Sequence, residues 1–218
     1  MLGDRMNLIT ELKIPPINQY AELKKYILSN QHPWYRESYS CGINLNESPD
    51  VWDDGVDISH FSYCYTSRPR TRMRAPSKID AIPTQIYSTI MDVVEQILEY
   101  NGIHVGCIFR LNVNMLLTHP EDNSWGAIHV DHKFPHKNLL IYLTPKCTTG
   151  GDLRVYEDTH DGTLNRPAFE KYETFTPTED SAVTFDGDCF HSGQTPTTEG
   201  ERRILIVVTY CTELRYTG

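Results

Sequence analysis

Apolar residues recur along this chain with two different periods, and the change between them divides it near residue 103. On the N-terminal side, Tyr20, Leu23, Ile27 and Leu28 repeat at the spacing of one helical face. Pro15 and Pro16 stand just ahead, where the fixed φ of proline suits a first helical turn. A longer helix is predicted from Thr84, which can cap it, with Ile86, Ile90, Val93, Val94, Ile97 and Leu98 along one side. Asn101 and Gly102 supply a left-handed stop. Between the two helices, residues 30–83 are rich in Pro, Ser, Asp and Tyr without a clear period. That composition predicts a long loop-bearing region, and loops of such length often form lids over a site.

After Gly102 the period becomes that of strands. VGCIFRLNVNMLLT, NLLIYLT, DLRVYED, YETFTP, SAVTFD and RRILIVVTYC are strand candidates, broken by turn signals at Gly150–Gly151 and Asp186–Gly187. The expected fold class is mainly β with flanking helices: a sandwich or barrel of strands with a helical N-terminal buttress.

Composition narrows this picture only a little. The 218 residues suit one domain, and 39% hydrophobic with 22% charged residues is ordinary for a globular chain. No apolar run approaches the ~20 residues that cross a bilayer. The opening MLGDRMNLITELKIPP carries acidic residues and does not read as a secretory signal. A cytoplasmic location, away from membranes, is therefore expected. Cys41, Cys64, Cys107, Cys147, Cys189 and Cys211 are scattered, with no CxxC pair, and read as free thiols rather than a disulfide framework or a zinc site. A net charge of −9 argues against nucleic acid as a partner. The exception is SRPRTRMR, whose Arg68, Arg70, Arg72 and Arg74 share one side of an extended segment. That strip is either a solvated basic loop or an anion-facing surface.

The chemistry is concentrated in GAIHVDHKFPHKNLLIYLTP. His129 and Asp131 are two residues apart, so on an extended chain both face one side and can grip one ion. A third ligand must come from another strand, and His191 in FDGDCFHSGQTP is the best candidate. Two imidazoles and one carboxylate leave about half of an octahedron open, which suits non-haem Fe(II). Zinc in such a set would instead suggest hydrolysis. Arg202 begins a β-branched strand after His191, where its guanidinium can make a two-pronged bond to a carboxylate. Arg203 alternates to the opposite face and takes that role only if the strand is bulged. Around these, His132 and His136 read as loop residues and His119 as a rim residue. Trp34, Trp52 and Trp125 read as packing or rim aromatics, and Cys189 as a small buried residue. Asn112 and Asn114 share one strand face and are candidates to line the cavity.

The ordered set of HxD, YL, GG, His and an arginine in GER resembles the 2-oxoglutarate/Fe(II)-dependent oxygenase superfamily, in its prolyl 4-hydroxylase-like branch. The resemblance runs over residues 109–210, through NLLIYLT, GGDLRVYED and VTFDGDCFHSG. It implies a double-stranded β-helix (jelly roll, cupin-like) core, with His129, Asp131 and His191 as iron ligands. It further implies that Arg202 pairs with the far carboxylate of 2-oxoglutarate and that Tyr142 donates its hydroxyl to the same group. Thr144 stands where the family commonly has Asn. Fe(II), 2-oxoglutarate and O₂ are the implied cofactor and co-substrates, with ascorbate as an auxiliary reductant. The implied reaction hydroxylates a C–H bond of a peptidyl residue or of a small amino-acid-like molecule, releasing succinate and CO₂. The carboxylate of Asp131 speaks for hydroxylation over halogenation, because related halogenases carry a small residue there. The expected organisation is a single domain over 1–218. Within it, 1–103 is a helical, loop-rich part with a substrate lid, and 104–218 is the jelly-roll core. Two other readings remain: a cupin-like metal-dependent hydrolase or isomerase, whose HxH signature with a following Glu is missing here, and a binding module without catalysis. Oligomeric state is not legible.

Overall fold

The computed structural model describes residues 7–37, 51–52, 60–66, 84–119, 124–132, 134–160 and 168–212. In chain order the elements are β1 (Thr10–Leu12), α1 (Asn18–Ile27), β2 (Tyr35–Glu37), β3 (Val51–Trp52), β4 (His60–Thr66), α2 (Thr84–Tyr100) and β5 (Val105–Leu117). There follow β6 (Ile128–His129), β7 (Lys137–Tyr142), β8 (Leu153–Thr159), β9 (Tyr172–Phe175), β10 (Ala182–Asp186), β11 (Cys189–Gly193) and β12 (Arg202–Thr212). A seven-stranded sheet runs β1-β10-β7-β12-β5-β4-β2, and a five-stranded sheet runs β3-β6-β11-β8-β9; every pairing is antiparallel. Two sheets filled from alternating strands make the jelly roll.

The large sheet is covered on both faces, so its central strands carry apolar residues at successive positions rather than in alternation. From β7, Leu139 and Ile141 face the helices with Ile204, Ile206 and Val208 of β12 and Leu111 and Val113 of β5. They meet Ile90, Val93, Val94, Ile97 and Leu98 of α2, all fully buried. The opposite parity, Leu140 and Tyr142 with Leu205 and Val207, faces the small sheet. The predicted stop of α2 is present: Gly102 has φ 73°, its N–H donates to Glu99 O, and Ile103 N–H donates to Leu98 O. Asn101 adds a second task. Its amide takes Lys13 N–H and donates to Lys13 O and Ile97 O, which ties the chain after β1 to the end of α2.

The described residues within 30–83 include three strands beside the turn and irregular residues at 30–34: β2 and β4 extend the large sheet beside β5, and β3 pairs with β6. The N-terminal part is thus woven into both sheets rather than only buttressing them. These strands are short, and they form against partners far along the chain, so no local period announces them. The Arg68, Arg70, Arg72 and Arg74 strip lies outside the described residues, as does most of the expected lid. Among the described cysteines, Cys107, Cys147, Cys189 and Cys211 are free, as expected. No described helix is long and apolar enough to cross a membrane.

Candidate active site

The site lies between the sheets, and two strands with the bend after one of them position its densest chemistry. His129 on β6 and His191 on β11 stand directly opposite each other across the pairing of those strands. Their rings are 4.4 Å apart. Asp131 follows in the bend after β6, and its Oδ2 is 3.7 Å from His191 Nε2. One ligand atom from each of the three residues falls within 4.8 Å of the others.

The surroundings prepare these groups to bind a cation. His129 Nδ1 is 2.9 Å from Ala127 O and His191 Nδ1 is 3.2 Å from Cys189 O. A carbonyl at Nδ1 requires the proton there, which leaves each Nε2 lone pair for a metal. Burial, reinforced by the neighbouring His129, pushes the His191 pKa down to about 3 and keeps the imidazole neutral. A donor set of two imidazoles and one carboxylate fits Fe(II), and nothing in it conflicts with the expectation. Cys189, also near, packs with apolar neighbours, and burial pushes its thiol up to about 11.

A cavity of about 130 Å³ extends from this cluster. Its floor is the inner face of the large sheet, with Asn138, Leu140 and Tyr142 of β7 beside Leu205 and Val207 of β12 and Arg110 and Asn114 of β5. At one end sit the two histidines and Asp131; the lining also includes Tyr142, Asp152 and Arg203. Between Tyr142 and Asn138 the floor is apolar, with Leu140, Leu205 and Val207 each under 9% exposed.

Of the two adjacent arginines at the start of β12, Arg203 and not Arg202 lines this cavity. Arg202 is exposed, whereas Arg203 is 4% exposed and lines the cavity. The reason is register: Leu205 is paired with Tyr142, and Arg203, two residues earlier, shares the inward parity of Leu205 without needing a bulge. Its guanidinium lies 5.3 Å from the Tyr142 ring centroid and donates to Cys147 Sγ at 3.8 Å. No acidic side chain among the described residues forms an ion pair with it. Tyr142 is 2% exposed, and burial raises its phenol pKa well above the usual range, so the hydroxyl stays a donor.

Other expectations divide. Asn114 lines the cavity and accepts from Ser62 Oγ at 3.0 Å, while Asn112 is buried beside Arg110. His132 stacks on Phe134, and His136 is buried against Gly187; neither lines the cavity. Trp34 packs against the helix-side core, Trp125 stacks on Arg154, and the side chain of Trp52 is outside the described set. The residue that sequence reading passed over is Arg110, ion-paired with Asp131 at 2.5 Å. A lone arginine on the same strand face as Asn112 and Asn114 was a usable signal.

Comparison with known proteins agrees with this geometry. The family model described as the 2OG-Fe(II) oxygenase superfamily matches residues 113–210. Among solved structures, a prolyl hydroxylase from Trichoplax adhaerens, in complex with a hypoxia inducible factor oxygen degradation domain peptide fragment, superposes with TM-score 0.58 at 11% identity, covering 94% of this chain and 84% of that one. A 2OG-Fe(II) oxygenase family oxidoreductase from Burkholderia pseudomallei gives 0.50 at 14% identity, covering 93% and 95%. The epimerase SnoN, in complex with Fe3+, alpha ketoglutarate and nogalamycin RO, gives 0.52 at 14% identity, covering 97% and 87%. At these identities the structural likeness speaks for the fold. No curated protein matches the chain. The matched segment carries Tyr142, His191 and Arg203 as well as the HxD pair, and over these residues the chain is similar to the 2OG-Fe(II) oxygenase superfamily, oxidoreductases that work with Fe(II) and 2-oxoglutarate.

Proposed function

We propose that this chain hydroxylates a C–H bond of a peptidyl residue, in the manner of a prolyl hydroxylase, or of a small amino-acid-like molecule. His129, Asp131 and His191 hold Fe(II), and Arg203 with Tyr142 holds the far carboxylate of 2-oxoglutarate. The observation that carries this reading is the buried Arg203. A guanidinium 4% exposed and without an acidic partner among the described residues is costly unless an anion completes it. A dicarboxylate lying on the apolar floor between Arg203 and the histidines supplies that anion.

When bound, the iron and 2-oxoglutarate supply the oxidising chemistry, with O₂ consumed and succinate and CO₂ released. The chain's own part is positional. His191 stays neutral, both histidines present Nε2, and Asp131 contributes negative charge. Arg203 supplies a two-pronged donor and Tyr142 an O–H. Leu140, Leu205 and Val207 keep water off the co-substrate. The reading takes 1–218 as one domain, since β1 to β4 complete both sheets around the cavity.

A peptide substrate is supported by the fold likeness to a prolyl hydroxylase bound to a peptide fragment. A small molecule is supported by the likeness to SnoN, whose complex holds nogalamycin RO. The test begins with anaerobic addition of Fe(II) and 2-oxoglutarate, following the visible charge-transfer band that chelation is expected to give. The band should form in the native protein and be lost in Asp131→Ala and weakened in Arg203→Ala. Tight zinc with no response to 2-oxoglutarate would favour a hydrolytic cupin-like barrel instead. Succinate release against proline-containing peptides and free amino acids then separates the two substrate classes.

A further inference from the structure

Arg110 is a charge that the co-substrate pocket does not use. It stands mid-strand on β5, opposite Thr209 of β12, with its guanidinium in the cavity. Nη1 donates to Asp131 Oδ1 at 2.5 Å, and the two side chains are 7% and 5% exposed. The other edge is held as well. With the Asn112 amide turned so that Oδ1 faces the guanidinium, it accepts from Nε and Nη2 at 3.1 Å each. Asp131 therefore has its oxygens divided: Oδ1 goes to Arg110, and Oδ2 faces His191.

We propose that Arg110 is the resident counter-ion of Asp131. It holds the carboxylate in position before a metal arrives and reserves Oδ1, so that a metal is bound through Oδ2 alone. It also keeps a positive charge beside the bound ion, which sets the affinity of the site lower than a neutral residue would. The inference rests on the assignment of Asp131 as a metal ligand.

The physical argument has three parts. A buried carboxylate without a cation is strongly disfavoured, so a metal-free site needs a substitute charge in order to stay formed. Arginine suits that task because it keeps its proton at any accessible pH and its planar fork is held in one orientation. Gripped by Asn112, it cannot swing away when the metal comes, so two cations must share one carboxylate at low dielectric, where their repulsion is large. Arg110 is thus a positioning residue, with an energetic signature opposite to that of a simple orienting donor.

Mn(II) is the probe, with binding followed by loss of the free-ion electron paramagnetic resonance signal. Arg110→Gln is expected to bind Mn(II) at least about tenfold more tightly than wild type, while its metal-free form melts at lower temperature. Arg110→Lys keeps the charge and is expected to stay within about threefold of wild type. Weaker or unchanged binding in Arg110→Gln would make the arginine an orienting donor or a bystander and overturn the proposal. Should Arg110→Gln fail to fold, Arg110→Lys decides by itself: a loss of about tenfold or more would mean that fork geometry governs rather than charge. A wild-type protein that binds no Mn(II) would bring down the assignment of Asp131, and this inference with it.

Discussion

The backbone of Gly151 lies against the guanidinium of Arg203, so closely that a Cβ built there would overlap it, 2.7 Å from Cζ and 2.9 Å from Cys147 Sγ. Gly151 also has φ 84°, a conformation costly for other residues. Its absent side chain is the space through which Arg203 reaches the cavity. Gly151→Ala should therefore displace the arginine and weaken 2-oxoglutarate binding much as Arg203→Ala does, by roughly 10- to 100-fold, the value of a charge-assisted pair. Arg202→Ala, on the exposed side, should change it less than about twofold. Calorimetric titration of 2-oxoglutarate into the Mn(II)-loaded protein decides between the two arginines.

Tyr142→Phe removes one hydroxyl and leaves the ring packing intact. The cost of a single hydrogen bond is about 1 kcal/mol, so 2-oxoglutarate affinity should fall by roughly fivefold with melting temperature unchanged. A loss as large as that of Arg203→Ala would mean that the ring, rather than the O–H, supports the guanidinium 5.3 Å away.

Metal binding should show as stability. A divalent ion at about 100 times its dissociation constant adds roughly 2.7 kcal/mol to the folded state. Mn(II) should raise the melting temperature of wild type but not of His191→Ala or Asp131→Ala. Removal by a chelator should reverse it. An equal rise in the variants would place the ion elsewhere.

His32 offers a pH test far from the active site. It is 3% exposed among Tyr26, Trp34 and Tyr63, and burial lowers its pKa from 6.5 to about 4. The folded protein thus resists protonating it while the unfolded chain does not. Its contribution is complete above pH 6.5 and is lost as pH falls toward 4, by up to about 3 kcal/mol. Denaturant unfolding at several pH values should show this slope in wild type and a shallower one in His32→Phe.

The junction of α2 with β1 should be sensitive to one amide. Asn101→Ala removes hydrogen bonds to Lys13 N, Lys13 O and Ile97 O and should cost about 2 kcal/mol in urea unfolding. Gly102→Ala meets no atom within 4 Å, so its cost should be only the left-handed backbone, about 1 kcal/mol.

Much of this molecule is written in local pattern. The buried face of α2 follows from its helical period and glycine stop, and six strands follow from short apolar or alternating runs broken by turn signals. His129 and Asp131 were readable as candidates because two residues on an extended segment share a side, and the ordered motifs through His191 added the third candidate ligand. The inward arginine was not readable. β12 is buried on both faces, so Arg203, Leu205 and Val207 cannot be told by hydrophobicity from Ile204, Ile206 and Val208. Only pairing with Tyr142 across β7 sets which parity faces the cavity. The strands at residues 51–52 and 60–66 exist because β6 and β5 offer edges far along the chain, and the strand at 35–37 pairs in turn with β4. The Arg110–Asp131 pair likewise joins two segments whose meeting depends on the closed sandwich. Local sequence carries periods and motifs, whereas register between distant strands is a property of the packed whole.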